Sequence, residues 1–171
     1  GMNIVNILPL MADEKITIIL PASELDEEKF ITMVTKKGII KRTKLSEFKH
    51  TRKTGIIAIS IDDDDELTFV KMTDGNDNLF IATKKGMAIQ FNENQVRAMG
   101  RGARGVKAIT MKPEDYVVSM EITDENTKLL TITETGYGRI SPISDYRLQS
   151  RSGKGLTNYR VEKYGDVAAA L

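Results

Sequence analysis

One heptapeptide pattern recurs along this sequence as GIIAISI at residues 55–61, GVKAITM at residues 105–111 and GLTNYRV at residues 155–161. The three leading glycines lie 50 residues apart, and GMNIVNI at residues 1–7 resembles a fourth copy. Self-similarity at a fixed period of about 20–50 residues is typical of repeat architectures. The sequence therefore predicts a protein built from repeated structural units.

Two other landmarks recur in the same order within each unit. An acidic pair stands at residues 13–14, 65–66 and 114–115. A turn-like tetrapeptide, TKKG or TETG, follows at residues 35–38, 83–86 and 133–136. Several landmarks in one order support the repeat more strongly than one motif does.

The second unit shows what each repeat contains. Its four short apolar stretches lie at residues 56–61, 67–72, 79–83 and 87–91. The first stretch alternates in AISI with a period of two, which is typical of a half-buried strand. Turn-forming residues separate the stretches, and the glycine of TKKG favours a tight hairpin because it tolerates positive φ. No window of helical length carries an apolar stripe.

Four strands repeated about every 50 residues are typical of propeller blades. We predict an all-β fold, a β-propeller or related repeat of four-stranded antiparallel blades, with about three blades and a partial one. The predicted units are residues 1–54, 55–104 and 105–154, with a partial blade at residues 155–171. Such an array forms an arc, so we expect the chain to belong to a longer protein. An open blade edge also favours self-association.

Composition narrows the class of protein. The chain has 171 residues, of which 40% are hydrophobic and 29% charged, as in globular domains. The absence of cysteine excludes disulfides and thiolate metal sites. The apolar run at residues 4–11 is too short to span a bilayer and lacks a basic flank. We therefore expect a cytoplasmic protein without membrane contact.

Charge is distributed unevenly although the net charge is only +1. Loops rich in glycine and in arginine or lysine follow the fourth apolar stretch of each unit, whereas acids gather at residues 24–28 and 62–66. Because the units repeat, we expect these loops to form a basic stripe suited to the phosphates of double-stranded DNA. The candidate DNA-binding residues are Lys41, Arg42, Lys49, Arg52, Lys53, Arg97, Arg101, Arg104, Lys107, Arg139, Arg147, Arg151 and Lys154.

The loop residues carry a resemblance to a known family. VRAMGRGARGV at residues 96–106 and DYRLQSRSGKG at residues 145–155 resemble the inter-blade segments of the C-terminal domain of bacterial DNA gyrase A. GYGR at residues 136–139 and NIVNILPL at residues 3–10 also match, so the resemblance covers essentially the whole chain. The wrapping heptapeptide of that family, QRRGGKG, is not present. We therefore expect this sequence to begin after the family's first blade.

The resemblance implies a function. The family's domain is a propeller variant, the β-pinwheel, whose basic rim bends and wraps double-stranded DNA. Wrapping contributes to ATP-dependent negative supercoiling by the complete topoisomerase, which is assembled from two kinds of polypeptide, gyrase A and gyrase B. The resemblance also implies that this chain is not itself an enzyme and holds no cofactor, since ATP and magnesium act elsewhere in the complex.

Two other functions are consistent with the sequence. One is the equivalent C-terminal domain of topoisomerase IV, and the other is a propeller used for protein–protein contact. GRGARG at residues 100–105 fits a dinucleotide fingerprint formally, but a strand-like segment follows where that motif requires a helix. The acidic run at residues 62–66 lacks the spacing of a calcium loop, and the single histidine, His50, has no cysteine partners. We predict no catalytic or metal site.

Overall fold

The computed structural model describes residues 1–23, 28–50, 52 and 54–171. Almost all of its regular structure is β. The strands are β1 (Phe30–Thr35), β2 (Ile39–Lys44), β3 (Leu67–Thr73), β4 (Asn78–Thr83), β5 (Met87–Asn92), β6 (Val106–Lys107), β7 (Val117–Thr123), β8 (Lys128–Thr133), β9 (Gly138–Pro142), β10 (Leu156–Thr157) and β11 (Val167–Ala170). One short helix, α1, spans Val161–Tyr164, and single 3-10 turns lie at Ile4–Asn6, Leu45–Phe48, Glu93–Gln95 and Ile143–Asp145.

The strands form three antiparallel sheets, which we call sheets one, two and three. Their strand orders are β3-β1-β2-β6, β7-β4-β5-β10 and β11-β8-β9. The centre of each sheet is a hairpin from a single unit, namely β1–β2, β4–β5 or β8–β9. The flanking strands come from later in the chain. The predicted all-β fold of antiparallel sheets is confirmed, with four strands in sheets one and two and three strands in sheet three.

The TKKG and TETG segments form the three hairpin turns, as predicted. In each turn the glycine N–H donates to the threonine carbonyl: Gly38 to Thr35, Gly86 to Thr83 and Gly136 to Thr133, at 3.0–3.1 Å. All three glycines have φ between +82° and +89°. This is a conformation that residues with a Cβ rarely adopt.

The prediction of a strand at residues 56–61 is wrong. The segment forms no strand, and Ile57 is 72% exposed. The equivalent segments are two-residue strands, β6 and β10, which pair with the hairpin of the preceding unit. Residues 1–23 contain no strand that could serve as this partner. An alternating sequence cannot form a ladder without a neighbouring strand.

The sheets and the sequence units are offset from each other. Sheet one combines residues 30–44 with β3 and β6, which lie 23 and 62 residues further along the chain. The predicted boundaries at residues 54, 104 and 154 therefore follow the sequence period, while each sheet crosses them. This exchange of strands ties successive units together.

Two apolar cores fill the spaces between neighbouring sheets. The first contains Val34, Ile40, Leu79, Ile81, Ile89, Phe91, Val96, Ala108, Ile109, Val117 and Met120. The second contains Phe80, Ala82, Ala88, Leu129, Ile143, Tyr146 and Ala170. Successive residues of β4 face opposite cores, with Phe80 in one and Ile81 in the other. Sheet two is therefore buried on both faces and holds sheets one and three together.

Candidate nucleic-acid interface

Two glycine-rich basic segments occupy equivalent positions in the fold. We call residues 97–105 the first rim loop and residues 147–155 the second rim loop. Each crosses to the preceding sheet, where Ala98 forms a parallel bridge with Arg42 and Leu148 forms one with Gln90. Arg42 and Gln90 stand at the same position of β2 and β5. The basic loops therefore repeat on the same edge of consecutive sheets, as the sequence predicts.

Glycine is required where each rim loop meets its sheet. Gly105 and Gly155 have φ of +98° and +77°. A Cβ at Gly105 would lie 2.6 Å from the carbonyl oxygen of Ile40, and one at Gly155 would lie closer still to that of Ala88. The backbone therefore reaches the sheet edge only without a side chain.

Three basic side chains of the rim loops project into solvent without a protein partner. Arg97, Arg147 and Lys154 are exposed. None of them makes a hydrogen bond or ion pair with the residues that the structure describes. Arg97 and Arg147 are equivalent residues, each following a 3-10 turn by two positions. They form the recurring part of the charged surface.

The remaining charges of the first rim loop differ in their surroundings. Arg104 forms an exposed ion pair of 2.5 Å with Asp62, the first residue of the acidic run. Arg101 is half-buried, and its backbone carbonyl accepts a hydrogen bond from Lys41. Lys107, which follows the first rim loop, is exposed in β6. A phosphate that binds Arg104 has to displace Asp62.

Arg151 connects the second rim loop to the residues that flank the first rim loop on either side. Its guanidinium donates to the carbonyl oxygens of Gln95 and Lys107, the first at 3.2 Å. Its backbone N–H donates to the Oε1 of Gln95 at 2.6 Å, and the Gln95 amide donates to the carbonyl of Gln149 at 3.1 Å. These reciprocal bonds fix the spacing of consecutive loops. Arg151 therefore has a structural role in addition to its charge.

Two of the predicted DNA-binding residues are buried. Lys41 is 0% exposed, and its ammonium donates to the carbonyl oxygens of Ala58, at 2.6 Å, and Arg101. Burial lowers the pKa of Lys41, while the Glu47 carboxylate acts in the opposite direction. Arg42 is 8% exposed and stacks 4.5 Å from the Phe30 ring centre. Neither side chain faces a surface that DNA could reach, which contradicts their assignment as DNA contacts.

Burial of Arg42 depends on Glu93, which the sequence analysis missed. Glu93 is 0% exposed, and its Oε2 lies 3.2 Å from Arg42 and accepts from the Thr73 hydroxyl at 2.7 Å. Its Oε1 accepts from the backbone N–H groups of Gly75 and Asp77, at 2.7 and 2.9 Å. Leu45 and Ile143 occupy the same position after β2 and β9. The repeat alignment thus marks Glu93 as an acid at an apolar position.

Glu93 lies beside Asp74 and Asp77, and oxygens of the three carboxylates approach within 4.8 Å. These oxygens already accept protein hydrogen bonds: Asp74 from Asn76, and Asp77 from Asp74. Burial raises the pKa of Asp77, as do the neighbouring charges of Asp74 and Glu93. The cluster organises the β3–β4 turn and the surrounding backbone.

The other predicted residues lie on the periphery. Arg139, in β9, donates to the carbonyl of Asn158 at 2.6 Å and stacks 5.4 Å from the Tyr159 ring centre. Lys49 and Arg52 are exposed in the loop after β2. Lys53 lies outside the described residues.

The hairpin lysines are paired with acids, as Arg104 is, in contrast to Arg97, Arg147 and Lys154 of the rim loops. Lys37 bonds to Asp64 in the acidic run, and this hydrogen bond lowers the pKa of Asp64. Lys85 lies 2.9 Å from Asp166, a contact that raises the pKa of Lys85. The acids therefore neutralise Lys37 and Lys85, whereas Arg97, Arg147 and Lys154 of the rim loops carry unpaired charges among the described residues.

A family model described as "DNA gyrase C-terminal domain, beta-propeller" matches residues 29–74, 77–124 and 127–171. The chain belongs to this family. The DNA gyrase A protein of Haloquadratum walsbyi is 45% identical over 174 residues, which cover 98% of this chain and 20% of that protein. The DNA gyrase A protein of Salmonella typhimurium is 41% identical over 172 residues, covering 100% of this chain and 20% of that protein. The chain thus spans about a fifth of the length of these relatives.

Solved structures agree with this gyrase family. A DNA gyrase A C-terminal domain superposes with a TM-score of 0.85 at 28% identity, covering 99% of this chain and 57% of that one. The C-terminal domain of a DNA topoisomerase IV shares the fold, with a TM-score of 0.73 at 23% identity, covering 100% of this chain and 70% of that one. Among the described residues of this gyrase-family domain, no helix is long and apolar enough to cross a membrane.

Proposed function

We propose that this chain is a DNA-binding module of a DNA gyrase A protein, which contacts the phosphates of double-stranded DNA through its rim loops and bends the duplex. The observation that carries the proposal is the equivalent placement of Arg97 and Arg147. They are exposed, without protein partners among the described residues, and lie on the same edge of consecutive sheets. Lys154 adds a further free charge to the second rim loop.

The electrostatics of the rim loops support phosphate binding. Residues 97–105 and 147–155 contain no acid, although the whole chain has 24 acids and 25 lysines and arginines. Backbone–phosphate contacts give affinity with little dependence on base sequence. Bending a stretch of about 20–30 base pairs by 40–90° costs on the order of 1–6 kcal/mol. Several charge-assisted contacts with counterion release offset a cost of this size.

In the complete protein, the module contributes to ATP-dependent negative supercoiling in the cytoplasm. Its partners there are DNA, the rest of the gyrase A protein, and gyrase B. We infer that this module itself performs no catalysis and holds no cofactor, with ATP and magnesium acting elsewhere in the complex. Curated relatives of about 40% identity are named as DNA gyrase, which favours gyrase over topoisomerase IV.

A salt titration of binding to a duplex of about 40 base pairs tests the proposal. We expect the logarithm of the association constant to fall linearly with the logarithm of salt concentration, with equal slopes for duplexes of unrelated sequence. Donor and acceptor dyes at the duplex ends should report a shorter end-to-end distance on binding. An association constant that does not change with salt concentration, or an absence of binding at low salt, would contradict phosphate binding by the rim loops.

A further inference from the structure

The two rim loops carry the same charge. Each contains three cations and no acid, namely Arg97, Arg101 and Arg104 in the first and Arg147, Arg151 and Lys154 in the second. Lys107 lies between the loops, because it follows the first and its carbonyl accepts a hydrogen bond from Arg151 of the second. A difference in DNA binding between the two loops therefore depends on the residues that surround them.

The main chain holds both loops in the same way. In the first rim loop, the Ala103 carbonyl accepts from the Ser60 N–H at 3.2 Å. In the second, the Gly153 carbonyl accepts from the Thr110 N–H at 2.9 Å. Residues at the same distance in sequence from these donors and acceptors therefore occupy corresponding positions beside the two loops.

Asp62 and Lys112 correspond in this way, since each lies two residues after its donor. Arg104 and Lys154 also correspond, since each lies one residue after its acceptor. Beside the first rim loop, Asp62 forms an ion pair with Arg104. Beside the second, both positions hold lysines, so two cations stand where the first rim loop has a cation and an acid.

The hairpin turns confirm this alignment. In both repeats the carboxylate three residues further on, Asp65 or Asp115, accepts from a hairpin N–H at 2.9 Å. The intervening residues therefore correspond one to one, and their charges differ. Residues 62–66 are five acids, whereas residues 112–116 contain Lys112 and two acids.

A second position differs in the same direction. Glu47 and Gln95 are equivalent, because each is the third residue of the 3-10 turn after β2 or β5. The Glu47 carboxylate lies beside the first rim loop, 3.9 Å from the place of a Cβ on Gly100. Gln95 bonds to the second rim loop through a neutral amide, which accepts from Arg151 and donates to Gln149. This amide holds the loop without adding negative charge.

Lys112 carries an unpaired charge. Its side chain is exposed and makes no hydrogen bond or ion pair with the part of the chain that the structure describes. It lines an open pocket together with residues that include Lys85, Arg160 and Glu162. The Asp62 carboxylate shows where an anion sits beside a rim-loop cation. At the corresponding place in the second repeat, no acid of the described residues pairs with Lys112.

We propose that Lys112 is a further phosphate contact and that it makes the second rim loop the stronger DNA-binding element of the two. A phosphate oxygen takes the place beside Lys112 and Lys154 that the Asp62 carboxylate takes beside Arg104. The first rim loop binds more weakly, because a phosphate there has to displace Asp62. This inference rests on the DNA binding proposed above.

Salt titrations with a duplex of about 40 base pairs test Lys112 directly. We expect Lys112→Ala to lower the association constant about three- to tenfold at low salt and to flatten the slope of the logarithmic salt plot by about 1. Lys112→Arg should keep the wild-type slope. Lys128→Ala, at an exposed position of β8, is the control with the same loss of charge and should change neither value. Because both lysines are exposed, all three variants should unfold at the wild-type urea concentration.

The equivalent residues Arg104 and Lys154 test the ranking of the loops. Lys154→Ala should weaken binding more than Arg104→Ala, because the charge of Arg104 is already compensated by Asp62. In an Asp62→Asn background, the loss caused by Arg104→Ala should increase. Equal losses for Arg104→Ala and Lys154→Ala in the wild-type background would overturn the ranking.

Two further outcomes separate this inference from the function on which it rests. If the wild-type protein binds the duplex and Lys112→Ala behaves as Lys128→Ala does, the Lys112 contact is overturned and the proposed function stands. If the wild-type protein does not bind at low salt, the proposed function and this inference are overturned together.

Discussion

The guanidinium of Arg42 lies 3.2 Å from the carboxylate of Glu93, and both side chains are buried. Removing one member of a buried pair leaves the other charge uncompensated, at a cost of about 3–5 kcal/mol. We expect Arg42→Met to fall at the lower end of that range, because three further donors still solvate Glu93. Urea unfolding measures the change in the free energy of unfolding.

Arg97→Met is the control for this prediction, because Arg97 is exposed and unpaired among the described residues. We expect it to change stability by no more than about 0.5 kcal/mol. Equal losses for the two variants would contradict the structural role of Arg42. A preserved stability with a flatter salt dependence of DNA binding in Arg42→Met would restore Arg42 as a DNA contact.

Arg97 and Arg147 together should account for part of the salt dependence of DNA binding. Each neutralised phosphate contributes about −0.9 to the slope of the logarithmic salt plot. The variant carrying both Arg97→Ala and Arg147→Ala should therefore bind with a slope flatter by up to about 2. Fluorescence anisotropy over a salt series measures it. Lys15→Ala, far from the rim loops in sequence, should leave the slope unchanged. A double variant with the wild-type slope would exclude both arginines as phosphate contacts.

If Arg104 contacts DNA as proposed, Asp62 competes with the phosphates for it. Because the ion pair is exposed, its own stability is only about 0–1 kcal/mol. We expect Asp62→Asn to raise affinity for duplex DNA at low salt by a factor of up to about 5, since Arg104 no longer has to leave a carboxylate. Glu125→Gln is a control with the same charge change at an exposed position of the β7–β8 turn. Equal gains in the two variants would indicate a general charge effect instead of release of Arg104.

Lys41 should make stability depend on pH in the alkaline range. Burial places its pKa in the folded protein below 10.5, the ordinary value. Between the folded pKa and 10.5, the unfolded chain holds a proton that the folded protein has released, so stability rises with pH. The difference in unfolding free energy between wild type and Lys41→Met should therefore shift in favour of wild type as the pH rises towards 10.5. Denaturant titrations at pH steps from neutral upward measure it, and a constant difference would contradict the lowered pKa.

The sequence predicted the features that depend on local pattern. TKKG and TETG formed their hairpin turns, and the glycine-rich loops at residues 97–105 and 147–155 repeated on one edge. Their positions follow from the period alone, because a repeated sequence occupies repeated structural positions. The free charges at Arg97 and Arg147 belong to this predictable part of the candidate site.

The features that the sequence did not predict depend on contacts between distant residues. Lys41 is a typical surface residue by composition, but carbonyls of residues 58 and 101 surround its ammonium. Ile89 stands at the same position in β5 and is buried in the core. The strand predicted at residues 56–61 failed for a similar reason. An alternating sequence indicates which side chains a strand could bury. Whether the strand forms depends on a partner strand elsewhere in the chain.

Gly105 and Gly102 offer a matched test of how the first rim loop is held. Gly105 has φ of +98°, and an added Cβ would lie 2.6 Å from the Ile40 carbonyl oxygen. Gly102 has no heavy atom within 4 Å of such a Cβ. Gly105→Ala should destabilise the protein by about 1–3 kcal/mol from backbone strain alone. Gly102→Ala should stay within about 0.5 kcal/mol of wild type.

The Gly105→Ala and Gly102→Ala variants should also differ in their affinity for DNA. Displacing residue 105 from the sheet edge moves the backbone that carries Arg104 and Lys107, so Gly105→Ala should weaken affinity and increase hydrogen exchange at residues 106–107. These amides lie in β6, which pairs with Ile39 and Ile40. Gly102→Ala should preserve both measurements. If the two variants behave alike, the close approach of Gly105 to β2 does not hold the rim loop in place.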